Sequence, residues 1–369
     1  MRIALYSPYL PKHLGGGEKY LLDVANSLLT AGHEVILAIS SLNSIPENQV
    51  DDLIKLWSEF SGHNLTKLKI EGCPLNTSAK WWQKLLWTRN FDRLYYQTDG
   101  SLFFSLAQKN ILHIQIPFTQ PKNSLLERLK LFNWSVKNTN SEFTKSVIEK
   151  SWRTKINFVH TPMIQPLVTS ETLLYLSAKK PVILHVGRFF KQLHCKHQEV
   201  LVKAFAQLLQ TEPTLMKGWE LVLLGSIEDQ TYADEIHELA KGLPIKFVHQ
   251  ANRDVLNLYY KTAQIYWHAT GFGENETLNP EKMEHFGIST VEAMSAGVAP
   301  VVIGKGGQKE IMQPELTDWT WLTETELKAK TLKLIEDPDL LAQVQTLAFR
   351  KSLSFNQVGF SKTLAKMIE

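Results

Sequence analysis

Residues 280–310 read PEKMEHFGISTVEAMSAGVAPVVIGKGGQKE, and three patterns follow one another within them. From Ser289 to Ala296 a short helical pattern opens on Ser289-Thr290-Val291-Glu292, the S-x-x-E form of a capping box in which the glutamate reaches back to a backbone N–H. The run APVVIG (299–304) is apolar, short and bounded by glycine, so it reads as a buried strand. Gly306-Gly307-Gln308-Lys309-Glu310 is then a glycine turn that sets a carboxylate beyond the strand's carboxyl end. A helix feeding a buried strand is the rhythm of a parallel α/β sheet, and the rest of the chain repeats it.

Upstream in the same half, strands are expected at 181–187, 220–225, 245–249 and 264–269, separated by helices at 197–210, 229–241 and 252–263. Downstream the pattern is mainly helical, at 307–313, 325–336, 339–350 and 357–368. In the first half, strands at 2–6, 34–40, 66–70, 93–97, 110–116 and 156–160 alternate with helices at 17–31, 49–60, 80–89, 122–134 and 142–151. The rhythm breaks only between Thr161 and Lys180, flanked by Pro162, Pro166 and Pro181. Two successive α/β domains are therefore expected, 1–170 and 171–355, with a terminal helix at 356–369. The chain's 369 residues suit two domains of about 150–200 residues each. A ligand would sit at the carboxyl ends of the strands.

Composition narrows the classes further. Hydrophobic residues are 44% and charged residues 21%, which excludes a disordered or collagen-like chain. No apolar run approaches the ~18 residues of a spanning helix, and MRIALYSPYLPKH lacks a signal peptide's apolar segment, so a cytoplasmic protein is expected. Cys73 and Cys195 are too few for a disulfide framework or a zinc site. Residues 1–170 carry 19 Lys and Arg against 13 Asp and Glu, the remainder 21 against 24. That asymmetry is too weak for a nucleic-acid-binding protein, yet it inclines the first half toward an anionic surface.

Several groups are candidates for chemistry. Gly15-Gly16-Gly17 follows the first strand and opens a helix, so its amides can approach an anion such as a diphosphate, although a structural turn reads equally well. Arg188 follows the strand HVG, with Lys191, His194, Lys196 and His197 in a basic loop beyond it. Guanidinium and ammonium groups there would take up charge on a diphosphate leaving group, and the competing reading is a solvated basic loop. Glu284 and Glu292 bracket the HFGI loop. Besides capping, Glu292 could chelate a ribose diol while the amides near Ser289 and Thr290 face a phosphate. The only D-x-D string, Asp337-Pro338-Asp339, reads as a turn and helix cap, so no metal is expected.

Glu284-x7-Glu292, AMSAGVAPVV, GG-x-x-E and the upstream HVGR…K together resemble the retaining glycosyltransferases of family 4, and GGGEKYLLDVANSLLTAGHEV and NSEFTKSVIEK extend the likeness over nearly the whole chain. The resemblance implies the GT-B fold, two Rossmann-like domains facing each other across a cleft, with the terminal helix returning to the first. It implies a nucleotide-sugar donor (GDP- or UDP-linked) held mainly by the second domain, no cofactor, and a glycan or lipid-linked acceptor. Arg188 and Lys196 would grip the diphosphate, although their spacing is about three residues longer than the family's commonest, which keeps Lys191 as a competitor. Glu284 would meet the sugar hydroxyls, Phe286, Gly287 and Ile288 would supply backbone contacts, Ser289 and Thr290 would lie at the phosphate, and Glu292 would hold the ribose. Gly15 and Gly16 would face the diphosphate from the first domain. His113 looks like the family's histidine near the reacting sugar. Retention and an internal-return path are likewise implied by the resemblance. The rivals are a GT-B sugar-nucleotide epimerase, a phosphorylase, and a binding protein without turnover.

One helix bears on the acceptor. Lys80-Trp81-Trp82-Gln83-Lys84-Leu85-Leu86-Trp87-Thr88-Arg89 joins aromatic, aliphatic and basic side chains, so it either lies at a lipid interface or packs its tryptophans on the first sheet, the latter being slightly favoured. In the first case Trp81, Trp82 and Lys84 make a peripheral contact at the inner face of a membrane.

Overall fold

In the computed structural model, which describes residues 1–10, 15–41, 46–169, 179–192 and 194–369, each sheet is organised around a strand buried on both faces. Arg2–Tyr6 (β1) is buried from Ile3 onward, as a parallel strand covered by helices on both sides must be. Parallel partners flank it: Glu34–Ser40 (β2) on one side and Arg93–Gln97 (β4) on the other. Lys69–Cys73 (β3), Lys109–Ile114 (β5), Val136–Thr139 (β6) and Phe158–Val159 (β7) complete a seven-stranded sheet of order β3-β2-β1-β4-β5-β6-β7. The helices are Gly16–Thr30 (α1), Glu47–Ser61 (α2), Trp81–Thr88 (α3), Leu125–Asn133 (α4) and Glu142–Trp152 (α5).

Right-handed crossovers fix which face each helix covers. The chain runs β1 to β2 to β3 in one direction and returns through β4 to β7 in the other, so α1 and α2 lie on one face and α3, α4 and α5 on the opposite face. Two separate cores agree with this. Tyr20, Leu21, Val24 and Trp57 form one, and Leu131, Ile148 and Trp152 belong to the other. The last helix, Gln357–Ile368 (α13), joins the α1–α2 core through Phe360, Leu364 and Met367. It is tied there by the buried His160, whose Nδ1 lies 2.5 Å from the Tyr20 hydroxyl and whose Nε2 donates to Phe360 O at 3.0 Å.

The second unit, Ile164–Asn356, holds a six-stranded parallel sheet of order β10-β9-β8-β11-β12-β13. Its strands are Lys180–Val186 (β8), Glu220–Leu224 (β9), Ile245–Val248 (β10), Ala263–His268 (β11), Ala299–Ile303 (β12) and Thr320–Trp321 (β13). Its helices are Gln198–Thr211 (α6), Gln230–Leu239 (α7), Arg253–Thr262 (α8), Ile288–Ser295 (α9), Gln308–Met312 (α10), Glu324–Glu336 (α11) and Pro338–Ser352 (α12). The first unit is Met1–Met163 with Gln357–Glu369. The strand order turns back between β8 and β11, so their carboxyl ends open a crevice at the switch point.

The α/β reading of the sequence describes both units, with local corrections. β6 and β13 were not foreseen, and β3 lies three residues further along than 66–70. Part of the proline-flanked stretch, 170–178, lies outside the described residues.

Candidate functional site

At the β8/β11 switch point lie two imidazoles, His185 next to the last residue of β8 and His268 at the end of β11, with ring centres 6.0 Å apart. His185 donates from Nδ1 to Trp267 O at 3.0 Å, which leaves its buried Nε2 as an unpartnered acceptor. His268 donates from Nε2 to Glu284 Oε2 at 3.0 Å and leaves Nδ1 unpartnered in the same way. The same Glu284 oxygen accepts from Lys196 Nζ at 2.7 Å. His194 Nε2 stands 3.9 Å from the other oxygen and its ring stacks on His285, centres 4.6 Å apart.

The basic loop reaches Glu284 because its backbone reverses at His194 and His197, which take left-handed φ values of 55° and 52°. Between them Lys196 runs its stem over Gly187, where a Cβ would lie 2.8 Å from Lys196 Cγ. Burial pushes the Glu284 carboxyl up, but Lys196, His194 and His268 outweigh it and hold the group well below the usual carboxylate range. Burial also holds His268, His194 and His285 below the usual imidazole range, and takes His185 down to about 3. The cluster is therefore one carboxylate, one ammonium and four neutral imidazoles near neutral pH.

The HFGI loop is shaped from behind by the Gly306-Gly307 turn. Gly307 N donates to Glu284 O at 2.7 Å, and a Cβ on Gly307 would stand 2.5 Å from His285 O. Gly287 takes φ 117°, open only to glycine at low cost, and is the N-cap of α9. This displaces the expected capping box. The N-cap is Gly287, two residues before Ser289, so Ser289 lies in the first turn and accepts from the Tyr266 hydroxyl at 2.8 Å. Thr290 Oγ1 accepts from Gln308 Nε2 at 2.9 Å. Glu292 does not bond the Ser289 amide. Its buried oxygens accept from Arg253 Nη1 at 2.7 Å and Tyr260 OH at 3.1 Å. Phe286 is 3% exposed and packs edge-on against Phe355, so only its backbone can meet a ligand.

Arg188 lies nearby but not in the ion pair. Its half-exposed guanidinium pairs with Glu228 at 3.1 Å and stacks over Phe190. Lys191, the competitor for the lysine role, points to the surface and pairs with Glu235 at 2.9 Å. Cys195 Sγ, His197 Nδ1 and Glu199 come within 4.8 Å of one another beside Lys196, but Tyr232 and His197 already hold the Glu199 carboxylate. Asp337 caps α12, its side chain accepting from Leu340 N at 2.9 Å, with Pro338 in the first turn.

The remaining expected residues lie in the first unit. Gly15 and Gly16 are exposed at the start of α1, and the Gly15 amide donates to the Glu18 carboxylate at 2.9 Å. His113, at the end of β5, is fully buried, bonds Asn138 Oδ1 at 2.6 Å and stacks on Tyr20. Burial takes it down to about 4, against Asn138 and Gln115, so it is neutral. On α3 the slightly favoured packing of both tryptophans is not what the structure has. Trp81 is 73% and Trp82 44% exposed, while Lys84 turns inward and donates to Thr77 O at 3.0 Å.

Residues 175–350 match the model of a family described as Glycosyl transferases group 1. Over 192 residues the chain is 27% identical to a GDP-Man:Man(3)GlcNAc(2)-PP-Dol alpha-1,2-mannosyltransferase of Neurospora crassa, a match covering 46% of this chain and 33% of that protein. It is 29% identical over 170 residues to an uncharacterized glycosyltransferase of Methanocaldococcus jannaschii, covering 46% and 36%. The chain thus matches about a third of the length of these curated relatives. Its fold is shared with Anabaena HepE, solved in complex with UDP, at TM-score 0.72 and 18% identity over 99% of both chains.

Proposed function

We propose that this chain is a retaining glycosyltransferase that moves a hexose of mannose or glucose type from a nucleotide-diphosphate sugar to a glycan or lipid-linked acceptor. The observation that carries this is the Lys196–Glu284–His268 constellation, held at the carboxyl ends of β8 and β11 next to the first turn of α9. The match to the glycosyltransferase family model supports the reaction class, and the relatives' names favour GDP-mannose or a UDP-sugar.

Each residue then has a task. Lys196 turns from Glu284 to the donor diphosphate, joined by Arg188, and the two cations with the first-turn amides of Ile288, Ser289 and Thr290 stabilise the leaving charge without a metal. Glu284, still oriented by His268, accepts hydrogen bonds from the sugar hydroxyls, and the lone pairs on His185 Nε2 and His268 Nδ1 are further acceptors. Phe286, Gly287 and Ile288 contribute backbone groups. Glu292, fixed by Arg253 and Tyr260, takes the ribose diol on its remaining lone pairs. Gly15 and Gly16 approach the diphosphate, and His113, neutral, the reacting sugar. The acceptor proton leaves with the departing phosphate on the same face, which retains configuration. The protein works in the cytoplasm, with Trp81 and Trp82 offered to the inner face of a membrane while Lys84, turned to Thr77 O, steadies the segment before α3. No helix among the described residues is long and apolar enough to cross one.

Thermal melting against UDP, GDP, ADP and their sugars tests the reading. The matching nucleotide at 100 times its Kd should add about 2.7 kcal/mol of stability. A flat response to every nucleotide would leave a fold without the proposed donor site.

A further inference from the structure

Helix α4 exposes four large apolar side chains in nine residues. Leu125 is 76% exposed, Leu126 56%, Leu129 51% and Phe132 86%. At 3.6 residues per turn they fall within about 120° of one another, a continuous stripe. Leu131 is the inward anchor, 2% exposed. Arg128 fastens the helix to α5 by donating to Trp152 O at 2.7 Å and Arg153 O at 3.2 Å, so the stripe belongs to a docked helix.

Two further segments extend this face. α3 and α4 cover the same side of the first sheet, and both helix C-termini are tied to one strip of chain. Leu106 N donates to Thr88 Oγ1 at 2.9 Å, at the end of α3. Ser105 N donates to Asn133 Oδ1 at 2.8 Å, at the end of α4. Leu106 itself is 51% exposed, and Trp81, Trp82 and Leu86 continue the apolar surface along α3.

Charge selects the occupant. The unit that carries this face has 21 Lys and Arg against 14 Asp and Glu, whereas the other has 19 against 23. Between Lys80 and Asn133 the count is eight basic to three acidic. Lys130 and Arg128 flank the stripe on α4, while Glu127, the only acid on that helix, falls on the opposite side and is held by Ser124 and Lys122. Side chains that stand more than half exposed project as knobs, and knobs on two helices suit a soft apolar layer beneath anionic head groups.

We propose that α4, Leu106 and α3 form one docking face for an anionic lipid bilayer, with Leu125, Leu126, Leu129 and Phe132 entering the acyl boundary. This extends the α3 contact of the proposed function, and because the readout is vesicle binding rather than sugar transfer, either can fail alone. The test is flotation of the full chain with vesicles of phosphatidylcholine, with and without phosphatidylglycerol. The wild type should float with the anionic vesicles only, and less at about 0.5 M salt, where charges are screened. Leu129→Gln/Phe132→Gln, which alters two exposed side chains, should lower vesicle binding at least tenfold while melting temperature stays unchanged. Equal flotation of variant and wild type would overturn the proposal, as would failure of the wild type to float. So would a dimer, seen by light scattering, that dissociates in the variant, since the face would then belong to a second copy.

Discussion

Replacing Lys196 by methionine removes an ammonium 2.7 Å from Glu284 Oε2 and keeps the apolar stem that lies over Gly187. Both side chains are only 12% exposed, so the pair is a buried one. Taking away one partner of such a pair costs about 3–5 kcal/mol, because the other charge is left without compensation. In a unit spanning Ile164–Asn356, each kcal/mol moves the melting temperature by about 2–4 °C, so a drop of roughly 6–20 °C in that unit's transition is expected.

The pH dependence gives the same reasoning a second readout. In the wild type the folded carboxyl lies below its ordinary range. Its contribution is therefore complete above the unfolded pKa of about 4.3 and is lost only as pH falls through the lower folded value. Without Lys196, burial, the largest influence, is opposed by His194 and His268 alone, so the folded carboxyl moves upward from its wild-type position. The stability difference between variant and wild type should therefore narrow as pH falls from about 7 toward about 5, because the buried histidines that both proteins share cancel in the comparison. Calorimetry across that range measures both effects. Adding Glu284→Gln removes the stranded charge and should restore most of the loss. A single variant melting within about 2 °C of the wild type with the same pH slope, or a double variant no better than the single, would refute the reasoning.

Two substitutions separate the shape of the site from its charge. Gly307→Ala places a methyl group 2.5 Å from His285 O and 2.6 Å from Phe286 Cα. The HFGI loop must move, so stability should fall by about 1–3 kcal/mol and the nucleotide-induced rise in melting temperature should disappear; a full rise would show the loop does not shape the site. Glu292→Gln keeps an acceptor for Tyr260 but loses the charge that holds Arg253, at a cost of about 1.5–3 kcal/mol. Calorimetric titration should find nucleoside diphosphate bound at least tenfold more weakly and inorganic pyrophosphate bound as before, and equal losses for both would take the ribose away from Glu292.

The two sheets could be read in advance because parallel strands buried on both faces leave continuous apolar runs, such as RIALY and PVILHV. β6 left no such run. Val136-Lys137-Asn138-Thr139 has one apolar residue in four, and its place is set by backbone pairing to β5 and β7, with Asn138 serving His113 and Tyr95. The surface was half legible for a related reason. LLERLKLFN has the pattern of any amphipathic helix, whose apolar side is expected to be buried, and only the tertiary arrangement shows that Leu131 faces inward while Leu125, Leu129 and Phe132 face out.

The site divides along the same line. Glu284 and Glu292 stand out as carboxylates bracketing the HFGI loop, whereas Lys196 is singled out from a basic loop only by the family resemblance. His185 and His268 sit inside strand patterns and read as ordinary core positions, and Arg253 is 39 residues from the carboxylate it holds. S-x-x-E was legible but ambiguous. A left-handed Gly287 moves the cap two residues upstream of Ser289, which takes Glu292 away from the cap and gives it to Arg253 and Tyr260. The consequence reaches the chemistry. Glu284 and Lys196 neutralise each other in a buried place, so neither can be spared unless something replaces it. In the proposed donor complex a diphosphate would take the ammonium while sugar hydroxyls donate to the carboxylate, so each buried group would keep a hydrogen-bonded partner. A ligand offering only one of these groups would strand the other, so the proposed site would favour a nucleotide sugar over a bare nucleotide.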